Sequence, residues 1–216
     1  MEPTRLYLVR HGETDLNRDR RFRGMSDARL NEHGRLESHG AARMLSGLGI
    51  SAVYASPVRR ARETAEIIAG GIHAGVVINE GLIDIDYGEW QGLTVEEVQG
   101  RFGEGTLDAW LSDPGGFTFP GGESMANVGS RLEPALLGIV RENPGGTVAA
   151  VSHLAVLKVC FIVMMGVEFG WFWKLALDNG SVGLFSHDEE NGFMLQSWNC
   201  LPKGGTGRCG GKVINR

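Results

Sequence analysis

The residues best suited to chemistry in this sequence are two histidines that each close a short apolar run. His11 follows Leu6-Tyr7-Leu8-Val9-Arg10, and His153 follows the run from Thr147 to Ser152. An imidazole with one unprotonated ring nitrogen is a nucleophile, and phosphorus is a centre it can attack. A buried strand followed by a loop delivers such a side chain to the carboxyl edge of a sheet, where ligands of open α/β folds collect. A single histidine so placed would more often be an idle loop residue. Two at equivalent positions, one flanked by Arg10 and Gly12, favour a shared site.

Arginine offers planar, paired donors that match phosphoryl oxygens. Arg10 stands beside His11, and Ser56-Pro57-Val58-Arg59-Arg60-Ala61-Arg62 opens a helix directly after the apolar run Ala52 to Ala55. The N–H groups and dipole of a helix start also attract an anion. One of the three arginines suffices, the others being solvated or paired with Glu63 and Glu66, and helical spacing does not say which. The net charge is −5 over 216 residues, so no global field draws in nucleic acid or an anionic membrane. The anion site must be local.

Positioning these residues calls for alternating strands and helices. Strands are predicted over 6–9, 52–55, 76–78, 147–151, 182–185 and 193–195, the last two joined through Asp188 to Asn191. Helices are predicted from Asn31 through Leu48, from Val58 to Ile68 with Gly70-Gly71 as the stop, near 94–102 and 105–112, and from Ser124 with Val128, Leu132, Leu136 and Ile139 on one face. The pattern implies a three-layer α/β sandwich, with a mostly parallel central sheet flanked by helices. Residues 1–199 are read as a single domain, with 86–122 as a cap over the site and 200–216 as a mobile Gly-rich tail. The apolar segment from Leu154 to Val167 contains Lys158 and is shorter than the ~20 residues a membrane span needs, so it reads as a buried helix. Cys160 reads as a core residue, Cys200 and Cys209 as idle thiols in preference to a bond or a metal between them, and the start as lacking a secretory pattern, which together point to the cytoplasm. His33 and Glu37, one helical turn apart, read as a solvated face, and no metal or cofactor site is expected.

Leu8-Val9-Arg10-His11-Gly12-Glu13-Thr14, with Asn17 beyond it, resembles the signature of the histidine phosphatase (phosphoglycerate mutase-like) superfamily. Ser56-Pro57-Val58-Arg59-Arg60-Ala61-Arg62-Glu63-Thr64-Ala65 resembles its second motif, and the match picks out Arg60 as the phosphate ligand. Asp84-Ile85-Asp86-Tyr87-Gly88-Glu89-Trp90-Gln91-Gly92, Pro120-Gly121-Gly122-Glu123-Ser124 and Val151-Ser152-His153 are similar to later landmarks, in order, from about residue 5 to 199. The resemblance implies that His11 becomes phosphohistidine while Arg10, Arg60 and a protonated His153 neutralise the phosphoryl oxygens. Asn17 and the Leu154 N–H would add contacts, and a carboxylic acid would protonate the leaving oxygen.

Two positions depart from the family pattern. The acid, usually glutamate, is Asp84 here, one methylene shorter, with Glu13 as the reserve; the residue after the second histidine, commonly glycine, is Leu154. The resemblance also leaves two other roles to weigh. Mutases of the family carry Glu-Arg-His-Tyr-Gly where this chain has Asp84-Ile85-Asp86-Tyr87-Gly88, which removes two cations and favours a phosphatase of small metabolites over a phosphoglycerate mutase. A non-catalytic phosphate-binding protein would not need His11, Arg10, Arg60 and His153 intact. The cap holds Trp90, Phe102, Trp110, Phe117 and Phe119, which core packing explains more cheaply than a grip on the leaving group. Relatives often pair, and Trp171-Phe172-Trp173 would suit a homodimer interface or the core.

Overall fold

Leu6 and Leu8 project to one face of the first strand and Val9 to the other, and all three are buried. A strand apolar on both faces belongs inside a sheet covered on both sides. The computed structural model, which describes residues 2–202, has this arrangement. Strands β1 (Thr4–Arg10), β2 (Ala52–Ala55), β3 (Gly75–Ile78), β4 (Thr147–Ser152), β5 (Val182–Asp188) and β6 (Gly192–Cys200) form one sheet, ordered β3-β2-β4-β1-β5-β6. The pairs β1–β4, β2–β4 and β2–β3 are parallel; β5 runs antiparallel to β1 and to β6.

Helices cover both faces. α2 (Glu32–Leu45) and α3 (Arg59–Ile72) pack through Ala41, Leu45, Ala61, Ala65 and Ile68 on the face that carries Val9, Val53, Ala55 and Val151. α6 (Met125–Glu142) and α7 (Leu154–Met165) cover the other, with Val128, Leu132, Leu136 and Ile139 forming the expected stripe. Each such side chain contributes about 1.5–3 kcal/mol on burial. Asn31 caps α2 by accepting from Gly34 N, and Ser124 caps α6 in a reciprocal box with Asn127. α1 (Asp15–Arg18), α4 (Val95–Phe102) and α5 (Glu104–Ser112) are the remaining α-helices among the described residues.

The structure corrects several expectations. Gly70-Gly71 do not stop α3, which runs on to Ile72 and closes at His73 with a left-handed φ of 59°. Ile72 continues the buried stripe of Ala61, Ala65 and Ile68, and that packing outweighs the roughly 1 kcal/mol each interior glycine costs. β6 extends well beyond 193–195 because the hairpin with β5 pairs it as far as Cys200. Cys200 is disulfide-bonded rather than an idle thiol. Cys209 and the tail from residue 203 lie outside the described residues. Cys160 is buried as expected, and burial pushes its thiol well up. No helix among the described residues is long and apolar enough to cross a membrane.

Candidate active site

The sheet register sets the site. Arg10 pairs with Ser152 across β1 and β4, and Ala55 with Val151 across β2 and β4. His11, His153 and Ser56 therefore leave three neighbouring strands at one level of the carboxyl edge. The His11 N–H donates to Ser152 O at 3.0 Å, while Asn179 Nδ2 and Gly180 N donate to its carbonyl at 3.0 and 3.4 Å. Gly12 N donates to Thr64 Oγ1 of α3 at 3.1 Å, and a Cβ on Gly12 would collide with the Gly34 carbonyl at the start of α2. The backbone on both sides of the histidine is thus fixed by four different segments.

The His11 ring is 1% exposed, with Nδ1 2.7 Å from Gly12 O. A carbonyl only accepts, so Nδ1 carries the proton and Nε2 keeps its lone pair. Arg60 Nε donates to Nε2 at 3.3 Å, in agreement with that tautomer. Burial, then Arg60, Arg10 and Arg23, hold His11 well below the ordinary imidazole range. It is a neutral ring with its lone pair on the atom that faces the arginine.

Arg60 itself is fully buried. Its remaining nitrogens donate to Gly24 O (2.6 Å), Ser26 O (2.9 Å) and Asp84 Oδ2 (2.7 Å). One guanidinium therefore spans from His11 Nε2 to the Asp84 carboxylate. Desolvation raises Asp84, against the pull of Arg60 and Arg23, so this carboxyl holds a proton more readily than an exposed aspartate. Glu13 lies elsewhere: its carboxylate accepts from Asn31 Nδ2 at 2.8 Å in the cap of α2.

His153 lies beside His11, ring centroids 5.1 Å apart. Its Nε2 is 2.7 Å from Ser56 Oγ, which also accepts from Val58 N, and its Nδ1, without a hydrogen-bond partner among the described residues, is 3.5 Å from Asp84 Oδ2. The surroundings of His153 work against the protonated form that the resemblance implies. Desolvation, then Arg60, His11 and Arg23, press it well below the usual range. Arg10 is also buried, with one N–H donating to Leu177 O at 2.6 Å, and burial with Arg23 lowers it only to about 10. It stays charged. Leu154 opens α7, where its N–H has no acceptor among the described residues and the helix dipole favours an anion. Asn17 completes the capping box of α1 with Thr14, its amide oxygen accepting from Thr14 N (3.1 Å) and Thr14 Oγ1 (2.8 Å), while its Nδ2 has no acceptor among the described residues.

A family model described as histidine phosphatase superfamily (branch 1) matches residues 6–201. The chain belongs to that superfamily. Phosphoserine phosphatase 1 of Hydrogenobacter thermophilus is 32% identical over 192 residues, 89% of this chain and 90% of that protein. A protein of Cronobacter sakazakii named "Probable phosphoglycerate mutase GpmB" is 32% identical over 200 residues, with 89% of each covered. A mycobacterial glucosyl-3-phosphoglycerate phosphatase, solved with VO3, superposes with a TM-score of 0.82 at 28% identity, over 90% of this chain and 98% of that one.

In this histidine phosphatase three residues outside the predicted set act on the site. Arg23 bears on His11, Arg10, Arg60, Asp84 and His153, and its Nε is buried without a hydrogen-bond partner among the described residues. A third arginine beside Gly24, in the loop after the nucleophile, was the available signal. Arg131 of α6 donates to Gly81 O (3.0 Å) and Asp84 O (3.1 Å) and pairs with Glu123 at 3.0 Å. Asn179 grips the His11 carbonyl. Glu37, read from the sequence as a solvated face, is half-buried and accepts Glu13 N at 2.7 Å; His33 beside it is exposed.

Proposed function

We propose that the protein hydrolyses small phosphorylated metabolites through a phosphohistidine on His11 Nε2. The observation that carries this reading is the Arg60 guanidinium, bonded at once to His11 Nε2 and to Asp84. It is placed to hold a phosphoryl group between a nucleophile on one side and an acid on the other. The lone pair of Nε2 forms the N–P bond as the P–O bond to the leaving group breaks, and the Asp84 proton passes to the leaving oxygen. Water then attacks phosphorus, gives its proton to Asp84, and breaks the N–P bond. Arg10, Arg23 and Arg60, with the Leu154 N–H, stabilise the equatorial oxygens, the part of the transition state where charge gathers. His153 acts first as a neutral N–H donor; a phosphoryl dianion would draw a second proton onto it. The small-metabolite class is supported by the relatives named for phosphoserine and glucosyl-3-phosphoglycerate.

The test is phosphate release across a panel of metabolite phosphates, with His11→Ala as control. Turnover by the native protein and its loss in the variant support the reading; equal turnover in both defeats it. A mutase assay run beside it should show far less turnover, because Asp84-Ile85-Asp86 offers no cations for a second anionic group.

A further inference from the structure

Lys158 is the one charged residue in α7, five positions past His153, and is 9% exposed. The helix is otherwise apolar along its length, so a leucine or methionine there would pack without the cost of a buried charge. Its Nζ lies over the Phe172 ring at 4.8 Å and the Trp173 ring at 5.8 Å. Among the described residues no carboxylate pairs with it and no acceptor takes its protons. Its charged neighbour is Arg10, a phosphate-site arginine of the same sign. Burial and that arginine lower the ammonium to about 8, so it is still charged at pH 7 and short of a counter-ion.

The surroundings say where a counter-ion would come from. On one side Arg10 belongs to the phosphoryl site. On the other, Trp173 meets Trp110 of α5 at 4.7 Å, which joins the aromatic floor under Lys158 to the cap segment. Lys158 stands one helical turn past Leu154, on the face of α7 that begins at the phosphoryl site. Arg10, Arg23 and Arg60 act on Asp84, and Glu37 and Asp178 also act on Arg10, but among the described residues none of these carboxylates pairs with Lys158.

We propose that the Lys158 ammonium receives a carboxylate carried by the leaving group of the substrate, and so selects carboxylated phosphomonoesters over neutral ones. This rests on the phosphatase reading for where the phosphoryl group sits, but its test does not depend on turnover. Calorimetry in a His11→Ala background compares 3-phosphoglycerate with glycerol 3-phosphate, which has a hydroxymethyl group in place of the carboxylate. The carboxylated ligand should bind at least about tenfold more tightly, as one charge-assisted contact provides. Adding Lys158→Met should bring the two dissociation constants within about threefold, and Lys158→Arg should keep them apart. Equal affinities in the His11→Ala protein, or a gap that survives Lys158→Met, would overturn the proposal. If circular dichroism shows the Met variant unfolded, the His11→Ala comparison decides alone. Continued turnover by His11→Ala would instead count against the phosphohistidine reading and leave this one to its own result.

Discussion

In the proposed mechanism His11 and Asp84 divide the work because their surroundings shift them in useful directions. Burial and three arginines keep the imidazole neutral, while burial keeps the aspartate able to hold a proton. Activity should therefore show no acid-side inflection near pH 6.5, and should fall on the alkaline side as Asp84 loses its proton. Asp84→Asn should lower kcat by roughly 100- to 10,000-fold and abolish that alkaline limb, whereas Asp84→Glu should retain it. A pH–rate profile of the three proteins checks this, and an unchanged limb in the Asn variant would remove Asp84 from the role. Arg10, His11 and His153 could be read from strand ends, whereas Arg60 and Asp84 came only from the resemblance of their motifs. The charge of His153 could not be read. It depends on burial and on arginines from other elements, which no local pattern records.

At the scale of elements, the site is held by contacts that reach backbone rather than side chain, which is why the sequence hides them. Arg131 of α6 acts on the carbonyls of Gly81 and Asp84 and shows only as one more charge on an amphipathic helix. Arg131→Met should strand two partly buried acceptors and let the Asp84 loop shift. We expect kcat to fall about tenfold or more with a displaced alkaline limb, since a misplaced group costs rate without losing its chemistry. A change in KM alone would contradict this. Gly34 sets the opposite constraint: a Cβ there would strike the backbone of Glu13, two residues after the nucleophile. Gly34→Ala should destabilise by about 1–3 kcal/mol in urea unfolding, as overpacking does, and lower activity with it. The sequence does show α2 and its Asn31 cap, but not that its first turn lies against the His11 loop, since that contact is between two backbones.

For the whole molecule, the alternation of apolar strands and capped helices made the sandwich and its mostly parallel sheet readable, while the length of β6 depended on its pairing with β5 and the end of α3 on the core it packs against. Burying two neutral histidines under that sheet edge has a cost at low pH. Their folded-state values are depressed, so the unfolded chain binds more protons, and stability is lost as pH falls through the unfolded value near 6.5. Each can remove up to about 1.4 kcal/mol per pH unit. Asp84, raised in the folded state, contributes with the opposite sign. Tm should therefore drop between pH 7.5 and 5.5, and drop less in a His11→Asn/His153→Asn variant; parallel curves would show that the histidines do not titrate on unfolding. The central claim is tested most directly by rapid acid-free quenching of the protein with 32P-labelled substrate. The account predicts protein-bound phosphate that is acid-labile and base-stable, mapped to His11 and absent from His11→Ala. Steady turnover with no such species, or label on another residue, would contradict it.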